Sequence, residues 1–247
     1  MRTPKILALV LTLALATTPS LAVAQTFDQL IEQGTAALKA EKYSEAEAIL
    51  RQAIKANPNY APAYIGLGMA LDEQNRSSEA ITAYQQAIKL DPKYAPAYYY
   101  LGVAFYNTDQ FDKAENAYRQ AIQLDWKYAA VYDRLGDALY HQKKLQEAEA
   151  TYRQAIAIDS KYAPAYVGLG NVLDDLKRLD EAIAAYQQAI KINPKYAYAY
   201  YHLGIALYNS DQFDQDLRRP TIYSVRWHQV KTLASMYYLR FAHLKVS

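Results

Sequence analysis

The sequence predicts an all-α fold, a solenoid of antiparallel helix pairs, on two observations. Versions of a 34-residue unit, clearest at Ala95–Tyr128, follow one another from Phe27 to about Gln215. Within each unit, apolar residues recur at spacings of three and four on both sides of a polar break, which indicates two amphipathic helices. One such pair cannot bury its apolar face alone, so we expect stacked neighbours to form the core.

The array, residues 25–215, divides into five complete units and a sixth that breaks off. Each unit has glycine at its eighth position, and the first five have alanine at the twentieth. Since glycine inside a helix costs about 1 kcal/mol relative to alanine, we expect close contact between the two helices, with glycine facing alanine. The predicted units are residues 27–60, 61–94, 95–128, 129–162, 163–196 and, incomplete, 197–215.

Residue types that are typical of helix ends predict the boundaries of the first (A) and second (B) helix of each unit. Proline suits the first turn of an A helix, where its missing N–H does no harm, and elsewhere it stops a B helix. The first-turn prolines are Pro62, Pro96 and Pro164, and the stops are Pro58, Pro92 and Pro194. The predicted B-helix caps are Ser44, Ser78, Asp112 and Asp180, with Glu47 and Glu115 completing capping boxes.

A pattern of large and small residues in the third unit identifies the family that the array resembles. Its members are Tyr98, Leu101, Gly102, Phe105, Phe111, Ala114, Tyr118 and Ala121, with Pro92 before them. At this spacing the pattern is similar to that of tetratricopeptide repeat (TPR) proteins, and it recurs from Phe27 to Gln215. One departure is Ser77, which replaces a large apolar residue. The resemblance implies a right-handed α–α superhelix that acts as a non-enzymatic scaffold for protein or peptide partners.

The resemblance also implies that A-helix positions 2, 5, 6, 9, 12 and 13 line a concave groove. Here these positions combine tyrosine, a rigid ring with a hydrogen-bonding tip, with carboxylates that favour a basic partner segment. We assign Tyr118 and its counterparts in other units to packing. The lysine–asparagine–arginine set by which some family members hold a C-terminal carboxylate is absent. The candidate groove residues are Asp72, Tyr99, Tyr100, Tyr106, Asp133, Arg134, Asp137, Tyr140, His141, Asn171, Asp174 and Tyr201.

The sequence offers no constellation for catalysis, so we predict no enzyme, cofactor or metal site. Cysteine is absent, the four histidines lack metal-ligand spacing, and no phosphate-binding glycine loop occurs. The acid pairs Asp72–Glu73 and Asp174–Asp175 occupy equivalent positions, and we interpret them as solvated helix ends. When the +2 of residues 1–24 and the +5 of residues 216–247 are removed from the net +2, the array carries −5. This charge disfavours nucleic acid as a partner.

The first 24 residues predict a signal peptide and therefore export to the periplasm or beyond the cell. A basic start precedes the apolar run ILALVLTLALA, and Ala22 to Ala24 fit the A-x-A cleavage pattern, so cleavage is expected after Ala24. An uncleaved membrane anchor is disfavoured because the apolar run is too short to span a bilayer. No integral membrane span is expected after cleavage.

The repeat pattern stops abruptly at Asp216. Residues 61–113 and 163–215 are about two-thirds identical, but Asp216 then replaces an alanine and Pro220 interrupts any helix. We favour a frameshift or a recent truncation over residues 216–247. The alternative is a specialised basic tail, whose apolar residues from Trp227 to Leu244 would form an amphipathic helix that covers the last unit or meets an acidic membrane.

Three functional hypotheses follow for the whole chain. The leading one is an exported scaffold that binds an extended or helical segment of a partner protein in its groove. A second is a structural module that self-associates through the unfinished sixth unit. A third is the binding arm of a longer protein that a frameshift has cut short.

Overall fold

The computed structural model describes residues 26–125 and 127–209, which form eleven α-helices and no strand. The helices are α1 Phe27–Lys39, α2 Tyr43–Ala56, α3 Ala61–Asp72, α4 Ser77–Leu90, α5 Ala95–Asn107, α6 Phe111–Gln123, α7 Ala129–His141, α8 Leu145–Ile158, α9 Ala163–Asp175, α10 Leu179–Ile192 and α11 Ala197–Asn209. The predicted signal peptide, the basic tail and the end of the sixth unit lie outside the described residues.

Odd-numbered helices are the A helices, and each packs antiparallel to the B helix that follows it, except α11, which ends the described chain. Each B helix also packs against the next A helix, which makes the stack continuous. Among the described helices, successive A helices contact one another, whereas successive B helices do not approach to the same extent. The A helices therefore lie on the inner side of the curve. The predicted all-α superhelical repeat fold is confirmed.

The close contact expected at the eighth-position glycines is present, but the facing residue is not alanine. A Cβ atom at Gly102 would lie 2.6 Å from the ring of Tyr118, and one at Gly136 would lie 2.7 Å from the ring of Tyr152. The alanines at the twentieth position are fully buried one turn earlier. A long side chain on a helix covers the turn before its own Cα, so the tyrosine ring occupies the space next to the glycine.

The prolines mark helix ends as predicted, whereas the predicted B-helix caps are wrong. B helices end two residues before Pro58, Pro92 and Pro194, because the residue before proline disfavours helical backbone. The B helices with a predicted cap begin one residue before it, and the residues that stand at their N-caps make no side-chain capping hydrogen bond; these are Lys42, Arg76, Gln110 and Arg178. Glu47 and Glu115 instead accept from Arg76 at 2.6 Å and Lys144 at 2.8 Å in the next unit, bonds that charge makes stronger than a neutral cap.

Candidate binding groove

Five of the predicted groove residues come together where α5 and α7 run side by side. Asp133, Arg134 and Asp137 lie on α7, and Tyr99 and Tyr106 lie on α5. Residues four or seven apart share a face of a helix, so Asp133 and Asp137, like Tyr99 and Tyr106, are directed to the same side. We call these five residues the central cluster.

Asp137 is the carboxylate with the most partners in the central cluster. Its Oδ1 accepts a hydrogen bond of 2.7 Å from the hydroxyl of Tyr152, and its Oδ2 accepts one of 3.0 Å from Nη1 of Arg134. Burial raises the pKa of Asp137, and these two donors oppose that rise. The side chain of Arg134 is 45% exposed, so its guanidinium carries charge to the groove surface.

Asp133 lies deeper and is held less tightly. The residue is only 4% exposed, and its Oδ2 accepts a long hydrogen bond of 3.4 Å from the hydroxyl of Tyr162. Burial, together with the charge of Asp137, raises the pKa of Asp133 to about 7. A carboxyl in this state changes its charge near neutral pH, which allows it to respond to a charged group brought beside it.

The tyrosines of the central cluster form its walls. The ring of Tyr106 packs edge-on against Phe111 and His141, each with centroids 5.4 Å apart. Burial and the neighbouring Asp137 raise the pKa of Tyr106 to about 12. The ring of Tyr99 lies 6.0 Å from that of Tyr118 and 5.2 Å from that of Tyr100. Both walls are partly exposed and offer apolar faces with hydroxyl tips.

Two predicted residues lie on the N-terminal side of the central cluster. Tyr100 stacks on Tyr84 with centroids 6.0 Å apart, and the Tyr84 hydroxyl donates to Asp72 Oδ2 at 3.2 Å. Burial raises the pKa of Asp72, and its Oδ1 is buried with no hydrogen-bond partner in the described part of the chain. The interpretation of Asp72 as a solvated helix end is therefore wrong, because the tyrosine of the following helix covers it.

The remaining predicted residues lie on the C-terminal side. His141 stacks on Phe111 at 4.6 Å, and Asn171 Oδ1 accepts from the Tyr186 hydroxyl at 2.9 Å. Burial raises the pKa of Tyr140 to about 12, with the neighbouring Asp175 next in importance. Asp174 is partly exposed on the same helix as Asn171, and Tyr201 is 40% exposed on α11. His141 adjoins the central cluster through the ring of Tyr106, and the other residues extend the groove beyond it.

Sequence reasoning missed the hydroxyl groups of tyrosines that it assigned to packing. Tyr152 and Tyr186 bury their rings beside glycine, yet their hydroxyls bond to polar side chains of the A helix. One sequence signal was available. The ninth position of a unit is Asp137 in the fourth and Asn171 in the fifth, within reach of a tyrosine fifteen residues later, whereas the third unit has Val103.

Residues 26–125 and 127–209 offer neither a metal site nor a membrane-spanning helix. These residues hold no group of three or more histidine, aspartate or glutamate side chains placed to bind a metal ion. None of the helices in these ranges is both long enough and apolar enough to cross a membrane.

Comparison with known sequences identifies the repeat. A sequence model described as tetratricopeptide repeat matches residues 31–95 and 65–129, and one described as TPR repeat matches residues 136–176 and 171–211. The chain belongs to the tetratricopeptide repeat family. Together these matches cover more than half of the chain. No curated protein matches it significantly.

Solved structures share the fold of this TPR chain. MamA is 26% identical with a TM-score of 0.60, and the match covers 66% of this chain and 96% of MamA. YrrB, described as "a TPR protein with an unusual peptide-binding site", is 23% identical with a TM-score of 0.55, covering 64% and 81%. The pilF protein of Pseudomonas aeruginosa is 17% identical with a TM-score of 0.67, covering 88% and 91%. The fold is that of a protein–protein interaction scaffold.

Proposed function

We propose that this TPR chain is an exported, non-enzymatic scaffold whose concave groove binds an extended or helical segment of a partner protein. The observation that carries the proposal is the central cluster, in which partly exposed tyrosines and charged side chains from two A helices lie together. Tyrosine supplies contact area at low entropic cost, and the excess of carboxylates favours a segment that contains lysine or arginine. The peptide binding named for YrrB is consistent with this use of the groove.

Site-specific photo-cross-linking tests where the partner binds. Tyr99, Tyr106 and Tyr140 are replaced one at a time by p-benzoylphenylalanine in the full chain, which is then irradiated in extract of the cell envelope. We expect all three positions to cross-link to one segment of one protein, identified by mass spectrometry. The same segment, made as a synthetic peptide, should compete with the cross-link.

Exposed positions on B helices provide the matched control. Gln120 on α6 and Gln154 on α8 are exposed and lie on helices outside the groove. The same photoreactive residue at these positions should give no product with that segment. Equal cross-linking from A-helix and B-helix positions, or no competition by the peptide, would contradict groove binding.

Export is proposed from the N-terminal sequence and has a direct test. Cleavage after Ala24 leaves Gln25 as the first residue. We expect the intact mass of the protein from the exported fraction to correspond to residues 25–247. A mass that retains residues 1–24 would contradict cleavage.

Self-association through the C-terminal end is a second candidate, supported by exposed apolar side chains on α11. Tyr201 is 40% exposed and Ile205 is 37% exposed on the last described helix. Contact between copies would remove such surface from water. Sedimentation equilibrium of the full chain and of Tyr201→Glu with Ile205→Glu tests this candidate. A concentration-dependent mass that the substitutions abolish supports it, and equal monomer masses exclude it.

A further inference from the structure

The duplicated segment provides two copies of one groove aspartate whose surroundings differ. Asp72 and Asp174 hold the twelfth position of the second and fifth units. In the second unit, the Tyr84 hydroxyl donates to Oδ2 of Asp72 at 3.2 Å, and Oδ1 of Asp72 is buried. In the fifth unit, the corresponding hydroxyl of Tyr186 donates to Oδ1 of Asn171 at 2.9 Å instead. A tyrosine therefore covers Asp72, whereas Asp174 does not accept the equivalent hydrogen bond.

The residue at the ninth position explains this difference. It is Met69 in the second unit and Asn171 in the fifth, and of these two side chains only asparagine offers a strong acceptor. Asn171 and Asp174 lie three residues apart on α9 and therefore share one face of the helix. A hydroxyl group has a single proton to donate, so the Tyr186 hydroxyl that bonds to Asn171 leaves the carboxylate of Asp174 without that donor.

The carboxylate of Asp174 is accessible to a ligand. The residue is partly exposed, its oxygens are not buried, and its side chain makes no hydrogen bond or ion pair with another described residue. The adjacent carboxylate of Asp175 lies 3.8 Å from Nζ of Lys143 and is paired with it. Asp174 also lies in the last turn of α9, where the helix dipole disfavours a carboxylate and favours a cation. One negative charge therefore remains here for a cationic ligand to neutralise.

The ring of Tyr140, on the neighbouring A helix α7, lies near this carboxylate. Burial raises the pKa of Tyr140 to about 12, and the charges of Asp175 and Asp174 add to the rise. Its ring already holds one cation, since Nζ of Lys143 lies 5.4 Å from the ring centroid. Tyr140 is partly exposed, so its ring can also contact the aliphatic stem of a lysine or arginine side chain that reaches Asp174.

We propose that Asp174 pairs with a lysine or arginine side chain of the segment bound in the groove, and that Asn171 makes this possible by accepting the Tyr186 hydroxyl. The N–H groups of the cationic side chain donate to the carboxylate oxygens of Asp174 in charge-assisted hydrogen bonds. Asp72, at the same position of the second unit, is covered by Tyr84 and does not take this role. This inference rests on the proposed function, since Asp174 recognises one residue of a segment held in the groove.

A defined peptide tests this pairing in the full chain without knowledge of the partner. The probe is acetyl-tetralysine-amide, and its uncharged match is the same peptide with every lysine acetylated at Nζ. Carbon-13 NMR follows the side-chain carboxyl carbons of Asp174 and Asp72 during titration with each peptide, in low salt because salt screens partly exposed charges. We expect tetralysine to shift the Asp174 signal saturably and the Asp72 signal little, and the acetylated peptide to shift neither.

Two variants with the same change of charge distinguish a specific pair from general attraction to an acidic surface. Asp174→Asn should weaken the binding of tetralysine about fivefold, the effect of one partly exposed ion pair. Asp72→Asn removes the same charge from a covered position and should leave the affinity nearly unchanged. Equal weakening by the two substitutions would overturn the pairing.

An exchange at the ninth position of the fifth unit tests the role of Asn171. Asn171→Met gives this unit the side chain that the second unit has, at a partly exposed position. The Tyr186 hydroxyl should then donate to Asp174, as Tyr84 donates to Asp72, and tetralysine should bind about fivefold more weakly. Full affinity in this variant would overturn the role of Asn171.

The reverse exchange in the second unit should create the site that this unit lacks. Met69→Asn offers the Tyr84 hydroxyl an amide acceptor and should release Asp72 from it. We expect the Asp72 carboxyl signal to respond to tetralysine in this variant, with the Asp174 signal unchanged in its response. An Asp72 signal that still does not respond would contradict the proposal that the ninth position controls this aspartate.

Failure of the pairing and failure of groove binding give different results. Equal shifts from tetralysine and its acetylated match, while cross-linking from Tyr99 and Tyr106 persists, would overturn the pairing and leave groove binding intact. Absence of that cross-linking from the unaltered protein would overturn the proposed function itself. A response to tetralysine that Asp174→Asn and Asn171→Met both reduce supports the pairing.

Discussion

The second and fifth units, which lie 102 residues apart in the duplicated segment, agree at the ion pairs of one arginine, which bonds a glutamate of the preceding unit and a glutamate of its own, and differ at the groove floor. The ion pairs are Glu47–Arg76 at 2.6 Å and Arg76–Glu79 at 2.7 Å in one copy, and Glu149–Arg178 and Arg178–Glu181, both at 2.7 Å, in the other. On the floor, Tyr84 donates to Asp72 in the second unit, whereas Tyr186 donates to Asn171 in the fifth. The acceptor of the tyrosine hydroxyl in the fifth unit thus lies about one helical turn earlier in the A helix, and it is an uncharged amide instead of a carboxylate.

This difference distinguishes the residues that hold the units together from the residues that face the groove. Residues that join one unit to the next are retained between the copies, since every unit must stack on its neighbour in the same way. Among the groove positions, the ninth differs between the copies, Met69 against Asn171, whereas the twelfth is aspartate in both, so the change at the ninth position alters which side chain the tyrosine hydroxyl meets. The third unit differs most from the others at this position, because Val103 offers no acceptor and the Tyr118 hydroxyl has no hydrogen-bond partner among the described residues.

The largest effect is expected from Asp133, whose folded-state pKa of about 7 lies above the 3.8 of an unperturbed aspartate. Between these values the folded state holds a proton that the unfolded state has released, so the free energy of unfolding falls as the pH rises. The contribution is fully present below pH 3.8 and lost above pH 7, and it amounts to at most about 4 kcal/mol at about 1.4 kcal/mol for each pH unit. Urea unfolding from pH 4 to pH 8 should show a flatter profile for Asp133→Asn. Parallel profiles would contradict the burial of this charge.

The next effect tests whether the two copies share one skeleton. Gly68→Ala and Gly170→Ala each place a methyl group closer to the ring of Tyr84 or Tyr186 than van der Waals contact allows. Overpacking costs about 1–3 kcal/mol, which exceeds the gain in helix propensity of about 1 kcal/mol. We expect similar net losses in both variants by urea unfolding. A large loss in one copy and none in the other would show that the skeleton has diverged.

Removing the hydroxyl group of Tyr186 and that of Tyr118 should change the free energy of unfolding by smaller amounts and in opposite directions. Tyr186→Phe removes a hydrogen bond to Asn171 and should lower the free energy of unfolding by about 1 kcal/mol. Tyr118→Phe removes a buried hydroxyl without a partner and should raise the free energy of unfolding by up to about 1 kcal/mol. Thermal and urea unfolding measure both. Equal destabilisation by the two substitutions would mean that the Tyr118 hydroxyl is already satisfied.

The smallest effect is expected at the exposed ion pairs. Arg76→Gln and Arg178→Gln each remove one arginine that bridges two glutamates. Because the arginines are partly solvated, we expect small and equal losses of melting temperature in low salt that disappear in 1 M sodium chloride. A salt-independent loss, or a loss in one copy alone, would show that these contacts are not equivalent.

Local chemistry explains how far sequence reasoning reached. The helix ends at Pro58, Pro92 and Pro194 were predictable because proline restricts the backbone of its own neighbours. The start of the B helices could not be predicted from Ser44 and Asp112, because Glu47 and Glu115 form stronger, charged hydrogen bonds with residues of the next unit. Residues one unit apart in sequence become neighbours only when the helices stack.

The sequence by itself determined the repeat and the pairing of the helices, whereas the candidate groove positions came from the resemblance to TPR proteins and stay a prediction. The repeat and the helix pairing follow from periodicity, which depends on the geometry of a single helix. Tertiary structure decided the rest: that Asp133 lies buried with a raised pKa, that Tyr106 of the third unit packs against His141 of the fourth, and that the Tyr118 hydroxyl has no hydrogen-bond partner among the described residues. Burial and hydrogen bonding depend on which residues of the neighbouring helix lie opposite each side chain. The repeat pattern does not predict these contacts.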